Sequence, residues 1–136
     1  MFRVGFYQFR PRFGEARANC DRVLARLSGV EADLIVLPEL CFTGYLFRDR
    51  REARSMAEDP ARSEIVSDLV GLCRERGVYI VTGFAEKAGS RCFNSALLLG
   101  PRGPLQTYRK IHLFNQEKVW FDPGDRPFAV SRVRGV

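Results

Sequence analysis

The sequence predicts an α/β fold in which layered helices cover a mixed β-sheet. Two patterns support this fold class: strand-like and helix-like segments alternate in the first half of the chain, and several strand-like segments follow one another in the second half. The third observation is composition, since 46% of the 136 residues are hydrophobic and 12% are aromatic. This length and composition suffice for one domain with a buried core and exclude a disordered or collagen-like protein.

The first part of the chain predicts two strands and the helix between them. Residues 3–9 alternate apolar and polar side chains, as expected of a strand. Apolar positions recur at helical spacing between Gly14 and Gly29, and Gly29 provides a helix stop. Residues 34–37 are apolar at every position. They therefore predict a short strand that is buried on both faces and ended by Pro38.

A second helix and further strands are predicted in the rest of the chain. Asp59 followed by Pro60 is typical of a helix N-terminus, and the apolar spacing after it predicts a helix up to Gly77. The later strands are predicted over residues 78–84, 93–99 and 105–109, and the start of another over 127–130. From Phe114 onwards the pattern predicts a loop, with the composition of a turn over residues 122–125.

Charge and apolar runs limit the classes of partner. The chain has 22 Lys and Arg against 16 Asp and Glu, a net charge of +6, and 19 of the cations are Arg dispersed among acidic residues. A nucleic-acid-binding protein would show a basic stripe with interleaved aromatic residues or a known module. We therefore expect a solvated Arg-rich surface and no nucleic-acid partner. No apolar run approaches the ~20 residues of a membrane helix and no signal-peptide core is visible, so we expect a cytoplasmic protein with no membrane partner.

The cysteine pattern argues against a metal site. Cys20, Cys41, Cys73 and Cys92 are widely spaced, and the chain has a single histidine. Structural zinc sites use closely spaced ligand pairs. We therefore expect no metal, and we expect buried free thiols rather than disulfides.

Two charged residues follow predicted strands, where α/β sheets present ligand sites. Glu39 comes directly after the apolar strand. Its neighbours Leu37, Leu40 and Phe42 are expected to desolvate the carboxyl and to raise its pKa toward that of a general base. Lys110 follows the last of the three later strands and is one of only three lysines. A compact ammonium suits the stabilisation of a developing oxyanion. Each of the two residues, taken alone, is also compatible with a solvated surface charge.

Three segments resemble signatures of the nitrilase, or carbon–nitrogen hydrolase, superfamily. Residues 38–45 (PELCFTGY) are similar to its first signature, residues 108–113 (YRKIHL) to its lysine signature, and residues 117–125 (EKVWFDPGD) to the segment with its second glutamate. Weaker similarities are Gln8, Gly83-Phe84-Ala85-Glu86 and Asn94-Ser95-Ala96. The matches keep the family's order over nearly the whole chain, so residues 1–136 are identified as one domain of this family.

The resemblance implies a four-layer α-β-β-α sandwich, of which this chain resembles the first half. It also implies acyl transfer through a cysteine thioester on a small amide, carbamoyl or nitrile substrate, without a metal or organic cofactor. In that mechanism Glu39 is the general base and Lys110 stabilises the tetrahedral intermediate. Glu117 holds a water or a substrate nitrogen and helps to position Lys110. Tyr45, in the first signature, is a candidate substrate-binding residue.

The resemblance does not extend to the nucleophile. In the family this cysteine lies some tens of residues after the lysine, and the sequence ends at Val136 before any such cysteine. Cys41 follows Glu39 by only two residues, and we expect it to be a packing residue. The domain is therefore expected to be incomplete and inactive alone, with an apolar sheet face that is covered by the missing C-terminal half or by a second copy in a homo-oligomer. The alternative is a non-catalytic half that folds against a partner as a binding module.

Overall fold

The structure, a computed structural model that describes residues 1–136, is built on a five-stranded mixed sheet. The strands are β1 (Val4–Phe6), β2 (Leu34–Val36), β3 (Tyr79–Ala88), β4 (Arg91–Gly100) and β5 (Gly103–Arg109). They lie side by side in chain order, with β1, β2 and β3 parallel and β3, β4 and β5 antiparallel. The helices are α1 (Ala16–Leu27), α2 (Arg50–Met56), α3 (Glu64–Arg76) and α4 (Glu117–Trp120). The predicted α/β class with a mixed sheet is confirmed.

Helices α1 and α3 cover one face of the sheet. Each presents buried apolar side chains at helical spacing, such as Cys20, Val23 and Leu27 in α1. They pack on alternate residues of the strands, including Ile35 and Ile80, in a core of 17 buried residues. Because strand side chains alternate between faces, this core accounts for only one face of each strand.

The opposite face is covered at one end only. There the loop after β2, helix α2 and helix α4 enclose a second core of eight buried residues, which includes Leu40, Phe47 and Trp120. At the other end an apolar row remains open, in which Phe6 and Val36 are register partners and are 81% and 38% exposed. The expected uncovered apolar sheet face is therefore present over β1 and β2.

Several element boundaries differ from those predicted. Helix α3 begins after Ser63, whose side chain accepts from Val66 N, because the carboxylate of Asp59 instead accepts from Ala61 N and closes a separate turn. No helix was predicted over residues 50–56, although Asp49 caps α2 by accepting from Glu52 N. The residues 50–56 lack the apolar periodicity from which longer helices are predicted.

The C-terminal predictions need three corrections. Helix α4 lies within the predicted loop, and it is a single turn that no periodicity could indicate. Residues 122–125 do not form a turn. They lie beside the end of β5, where Gly124 N donates a hydrogen bond to Lys110 O. Residues 127–130 do not form a strand, since their one hydrogen bond to the sheet is between the Gln106 side chain and Ala129 O.

None of the helices is both long and apolar enough to cross a membrane.

Candidate active site

The side chains of Glu39, Lys110 and Glu117 meet on the partly open face of the sheet; we call these three residues the lysine cluster. Lys110 Nζ lies 2.9 Å from Glu39 Oε1 and 2.9 Å from Glu117 Oε2. One ammonium thus bridges two carboxylates that are 78 positions apart in sequence. The fold therefore brings together the three residues that the sequence analysis singled out.

Glu39 reaches the cluster because the chain crosses β3 closely after β2. Gly83 N donates to Pro38 O, and a Cβ at Gly83 would lie 2.5 Å from Glu39 Cα. Only glycine permits this approach, so Gly83 sets how near Glu39 comes to β4 and β5. The next residue, Leu40, has φ +46°, a left-handed conformation that is unfavourable for leucine and is maintained by its complete burial.

Lys110 is fixed at the end of β5. Its backbone N–H donates to Asn94 O, which extends the β4–β5 ladder by one residue, and its carbonyl accepts from Gly124 N. Burial lowers the pKa of Lys110, but the hydrogen bonds and charges of Glu39 and Glu117 outweigh burial and leave the pKa above its ordinary value. The ammonium therefore remains charged at neutral pH.

Glu117 is the first residue of α4, and its side chain is fully buried. Burial raises its pKa, but the Phe114 N–H, which donates to Oε2 at 2.6 Å, acts in the opposite direction. Together with the hydrogen bonds from Lys110 and Asn94, it holds the pKa below the ordinary value. Glu117 is therefore a buried, ionised carboxylate.

Sequence reasoning gave Asn94 only as part of a weak family similarity, yet it lies at the centre of the site. Its Nδ2 donates to Oε1 of Glu39 and to Oε1 of Glu117, at 2.6 Å each. The residue is 3% exposed. The available signal was an amide side chain within a mainly apolar strand, because a buried amide requires hydrogen-bonding partners.

Tyr45 lies beside the cluster. Its ring packs edge-on against Trp120, with ring centroids 5.8 Å apart. Burial raises the pKa of Tyr45 to about 12, and the nearby Glu117 carboxylate adds to the shift. The phenol is therefore neutral at the edge of the site, and it is a hydrogen-bond donor beside Glu117.

The expectation that apolar neighbours enclose Glu39 is wrong. Leu37, Leu40 and Phe42 are buried in the two cores beneath the site, while the Glu39 side chain is 46% exposed. Its Oε1 accepts from Lys110 and Asn94, whereas Oε2 has no partner within the chain. The carboxylate opens into a cleft of about 430 Å³, which Gly83, Asn94, Tyr108, Lys110 and His112 also line.

All four cysteines are free and buried, as expected from their spacing. Burial raises the pKa of Cys41 to about 12, against a smaller opposing effect of the hydrogen bond to Thr82 Oγ1 at 3.2 Å. Burial also raises the pKa of Cys20 and Cys92 to about 11 and that of Cys73 to about 12. These thiols are protonated at neutral pH, and Cys41 is a packing residue within the main core.

No group of three or more His, Cys, Asp or Glu side chains is arranged to hold a metal ion. The lysine cluster itself has two carboxylates, but the Lys110 ammonium lies between them. The Lys110 ammonium therefore occupies the position between the two carboxylates, and the Glu39 carboxylate lines the cleft.

Comparison with known proteins identifies the family of this chain. The family model described as carbon-nitrogen hydrolase matches residues 3–136. A nitrilase from Pyrococcus abyssi (strain GE5 / Orsay) is 42% identical over 133 residues, which cover 96% of this chain and 51% of that protein. An (R)-stereoselective amidase from a Pseudomonas species is 33% identical over 136 residues, which cover 98% of this chain and 48% of that protein.

Solved structures of other proteins share the fold of this chain. A CN-hydrolase superfamily protein from Xanthomonas campestris superposes with a TM-score of 0.81 at 27% identity, over 98% of this chain and 50% of that chain. An N-terminal amidase bound to an Asn-Glu peptide shares the fold, with a TM-score of 0.80 at 24% identity over 88% of this chain and 30% of that chain. The chain thus spans about half the length of the curated relatives that it matches. On the family match and these similarities, the chain belongs to the carbon–nitrogen hydrolase family.

Proposed function

We propose that this chain supplies the base and the oxyanion-stabilising cation for hydrolysis of a non-peptide carbon–nitrogen bond, in a small amide, carbamoyl or nitrile substrate, through a cysteine thioester. The observation that carries the proposal is the lysine cluster, in which one carboxylate oxygen, Glu39 Oε2, is free of partners and faces the cleft. The family membership supports the reaction class.

In the first half of the proposed reaction on an amide, Glu39 accepts the thiol proton and the thiolate sulfur attacks the substrate carbon. A carbon–sulfur bond forms, and the carbonyl oxygen becomes an oxyanion that the Lys110 ammonium stabilises. The intermediate then collapses with cleavage of the carbon–nitrogen bond. Glu39 returns its proton to the departing nitrogen, which leaves as ammonia or an amine.

In the second half, Glu39 removes a proton from water, and the hydroxide attacks the thioester carbon. The carbon–sulfur bond breaks, the acid leaves and the thiol regains its proton. Glu117 stays ionised and keeps Lys110 in place, and it holds a water or a substrate nitrogen. Tyr45, as a neutral phenol beside the cluster, is proposed to donate a hydrogen bond to the substrate.

The nucleophile is proposed to lie outside these 136 residues. All four cysteines are buried with raised pKa values, and the Cys41 sulfur is turned into the core toward Thr82 and Gly83 O. A thiolate nucleophile requires access and a lowered pKa. Free thiols are also those of a reducing compartment, in keeping with a cytoplasmic location.

The test compares two proteins: the 136-residue chain, and the longer protein in which it continues into the segment proposed to carry the nucleophile. Each is incubated with simple amides, nitriles and carbamoyl compounds, ammonia release is followed, and mass spectrometry locates any acyl adduct. We expect turnover and a cysteine adduct only in the longer protein. Glu39→Gln should abolish turnover, whereas Glu31→Gln, at a carboxylate that is 75% exposed, should not.

Three results would overturn this proposal. They are an acyl group on Cys41, turnover by the 136 residues that Cys41→Ala removes, and undiminished turnover in Glu39→Gln. The first two would make the chain a minimal enzyme, and the third would remove the proposed base.

The second candidate is a non-catalytic half that folds against a partner, and the open apolar row favours it. Phe6 and Val36 are 81% and 38% exposed on the face that carries the site, and large exposed apolar patches are typical of interfaces. Covering this face, by a C-terminal half or a second copy, is common to both candidates. A 15.5 kDa monomer that binds no hydrophobic dye, measured by light scattering and fluorescence, would contradict the need for a cover. Turnover separates the two candidates.

A further inference from the structure

Asn94 contacts every member of the lysine cluster. Its backbone carbonyl accepts from Lys110 N at 2.9 Å. Its side-chain Nδ2 donates to Glu39 Oε1 and to Glu117 Oε1, at 2.6 Å each. A single buried residue in β4 therefore holds the backbone of the cation and the carboxylates of both anions.

The contacts form a closed ring of two nitrogens and two oxygens. Glu39 Oε1 and Glu117 Oε1 each accept from Asn94 Nδ2, and each also accepts from Lys110 Nζ, at 2.9 Å and 3.0 Å. An amide NH₂ has two hydrogens, one for each carboxylate. The opposite amide orientation would place a carbonyl oxygen against two carboxylates, so the chemistry of the contacts requires the nitrogen on this side.

The charges in the site explain why an uncharged donor is needed. Two carboxylates face one ammonium, which leaves a net charge of −1, and two anionic oxygens held close together favour a shared proton. The other titratable groups nearby are the Tyr45 phenol, beside Glu117, and the Tyr108 and His112 side chains, which line the same cleft. Asn94 adds two hydrogen bonds to the ionised forms without adding a charge that itself titrates.

We propose that Asn94 is a positioning residue, whose single amide nitrogen holds the carboxylates of both Glu39 and Glu117 against the Lys110 ammonium. The inference concerns the geometry of this chain, and its catalytic meaning rests on the proposed function. With Asn94 in place, Oε1 of Glu39 is held at Lys110 and Oε2 is left without a partner in the chain.

The primary test is an NMR titration of the 136-residue chain, which needs no turnover. The chain has only three lysines, Lys87, Lys110 and Lys118, so the Lys110 signal is assigned by Lys→Arg replacement of the other two. The carboxyl carbons of Glu39 and Glu117 are assigned by single Glu→Gln replacements. The variants compared are Asn94→Asp and Asn94→Ala.

Asn94→Asp conserves shape but removes the donor and adds a third carboxylate. We expect the cluster to take up a proton with a carboxyl pKa raised by about one unit or more, and the Lys110 titration to move upward as well. Asn94→Ala removes the hydrogen bonds without adding charge, so the carboxyl titrations should rise while that of Lys110 changes little. Two variants with different signatures keep the test decisive if one of them fails to fold.

The matched control is Asn19→Ala. Asn19 is also fully buried, and its side chain bonds the backbone of Arg12 and Phe42 rather than the cluster. We expect this control to lose stability and to leave the three titrations unchanged. Unshifted carboxyl titrations in both Asn94 variants, or equal shifts in Asn19→Ala, would overturn the inference and leave Asn94 with a structural role only.

The catalytic consequence is measured in the longer protein. Asn94→Asp should move the acidic limb of the kcat/KM profile upward by about the carboxyl shift seen by NMR. An unmoved limb together with shifted NMR titrations would show that Asn94 sets the ionisation of the cluster but that catalysis does not depend on it, which overturns the catalytic part of the inference. Absence of all turnover would instead contradict the proposed function, while the titrations would still decide the role of Asn94.

Discussion

Arg109 and Lys110 are consecutive cations at the end of β5, and each bridges two carboxylates, but the two sites differ in every other respect. Because successive side chains alternate between faces, the two cations enter separate environments. Arg109 pairs with Glu86 and Asp125 and is 9% exposed; we call these three residues the arginine cluster. Lys110 pairs with Glu39 and Glu117 and is 31% exposed beside a cleft.

The difference follows from the chemistry of the two cations. The planar guanidinium of Arg109 bonds both oxygens of Glu86, bonds Asp125 with another nitrogen, and stacks 4.1 Å above the centroid of Phe93. Each of its three nitrogens thereby donates to a carboxylate. The Lys110 ammonium is a point charge on a flexible stem, and one of its carboxylate partners keeps an oxygen free. The arginine cluster joins the β-hairpin to the segment 122–125, whereas the lysine cluster leaves one carboxylate oxygen without a partner beside a cleft.

The largest effect is expected from breaking the arginine cluster. Arg109→Met should lower the free energy of unfolding by about 3–5 kcal/mol, because it leaves the buried Glu86 carboxylate without its cation. Chemical denaturation measures the change. A loss below about 1 kcal/mol, the range of exposed ion pairs, would contradict a structural role for this cluster.

A smaller effect is expected where the lysine cluster meets the backbone. Gly83→Ala would place a Cβ 2.5 Å from Glu39 Cα and Leu40 N, so the segment after β2 must shift at a cost of about 1–3 kcal/mol. The displacement should also lengthen the Glu39–Lys110 contact, observable as a changed Lys110 NMR signal. Gly71→Ala in α3 is the control, since nothing lies within 4 Å of its Cβ and the helix should gain about 0.5–1 kcal/mol. Equal outcomes for the two variants would contradict the close approach.

The smallest effect is on the pH dependence of stability. The pKa of Glu117 is lowered in the folded chain. Its contribution to stability is therefore complete above its unfolded pKa of about 4.3, and this contribution is lost as the pH falls through the lowered folded pKa. Lys110→Met removes part of this lowering. Stability, measured by denaturation from pH 3 to pH 6, should therefore fall less steeply with acid in this variant. An unchanged slope would show that Lys110 does not sustain the ionised state of Glu117.

These clusters also mark what the sequence could predict. Glu39 and Lys110 were identified because they follow strands and lie within family signatures, and their meeting at one edge follows from strand ends converging. Glu117 was identified from its family signature alone. Asn94 and Gly83 were not identified as site residues, because their roles depend on strand register and on a close backbone crossing that no local pattern encodes. The short helices α2 and α4 are below the length at which periodicity is informative. The predicted enclosure of Glu39 failed because sequence neighbours in a loop need not share its surroundings.

We propose that reactivity belongs to the lysine cluster and stability to the arginine cluster. The most direct test of this proposal measures kcat and the thermal midpoint together, for Glu39→Gln and Asp125→Asn, in the longer protein that is proposed to carry the nucleophile. We expect Glu39→Gln to lower kcat by about 10²-fold or more, because it removes the proposed general base. Its midpoint should change little, because the Glu39 side chain is 46% exposed. Asp125→Asn should lower the midpoint and leave the kcat of the folded protein near that of the wild type, since Asp125 bonds only Arg109 and Arg91. An equal loss of kcat in the two variants at the same folded fraction would contradict the claim.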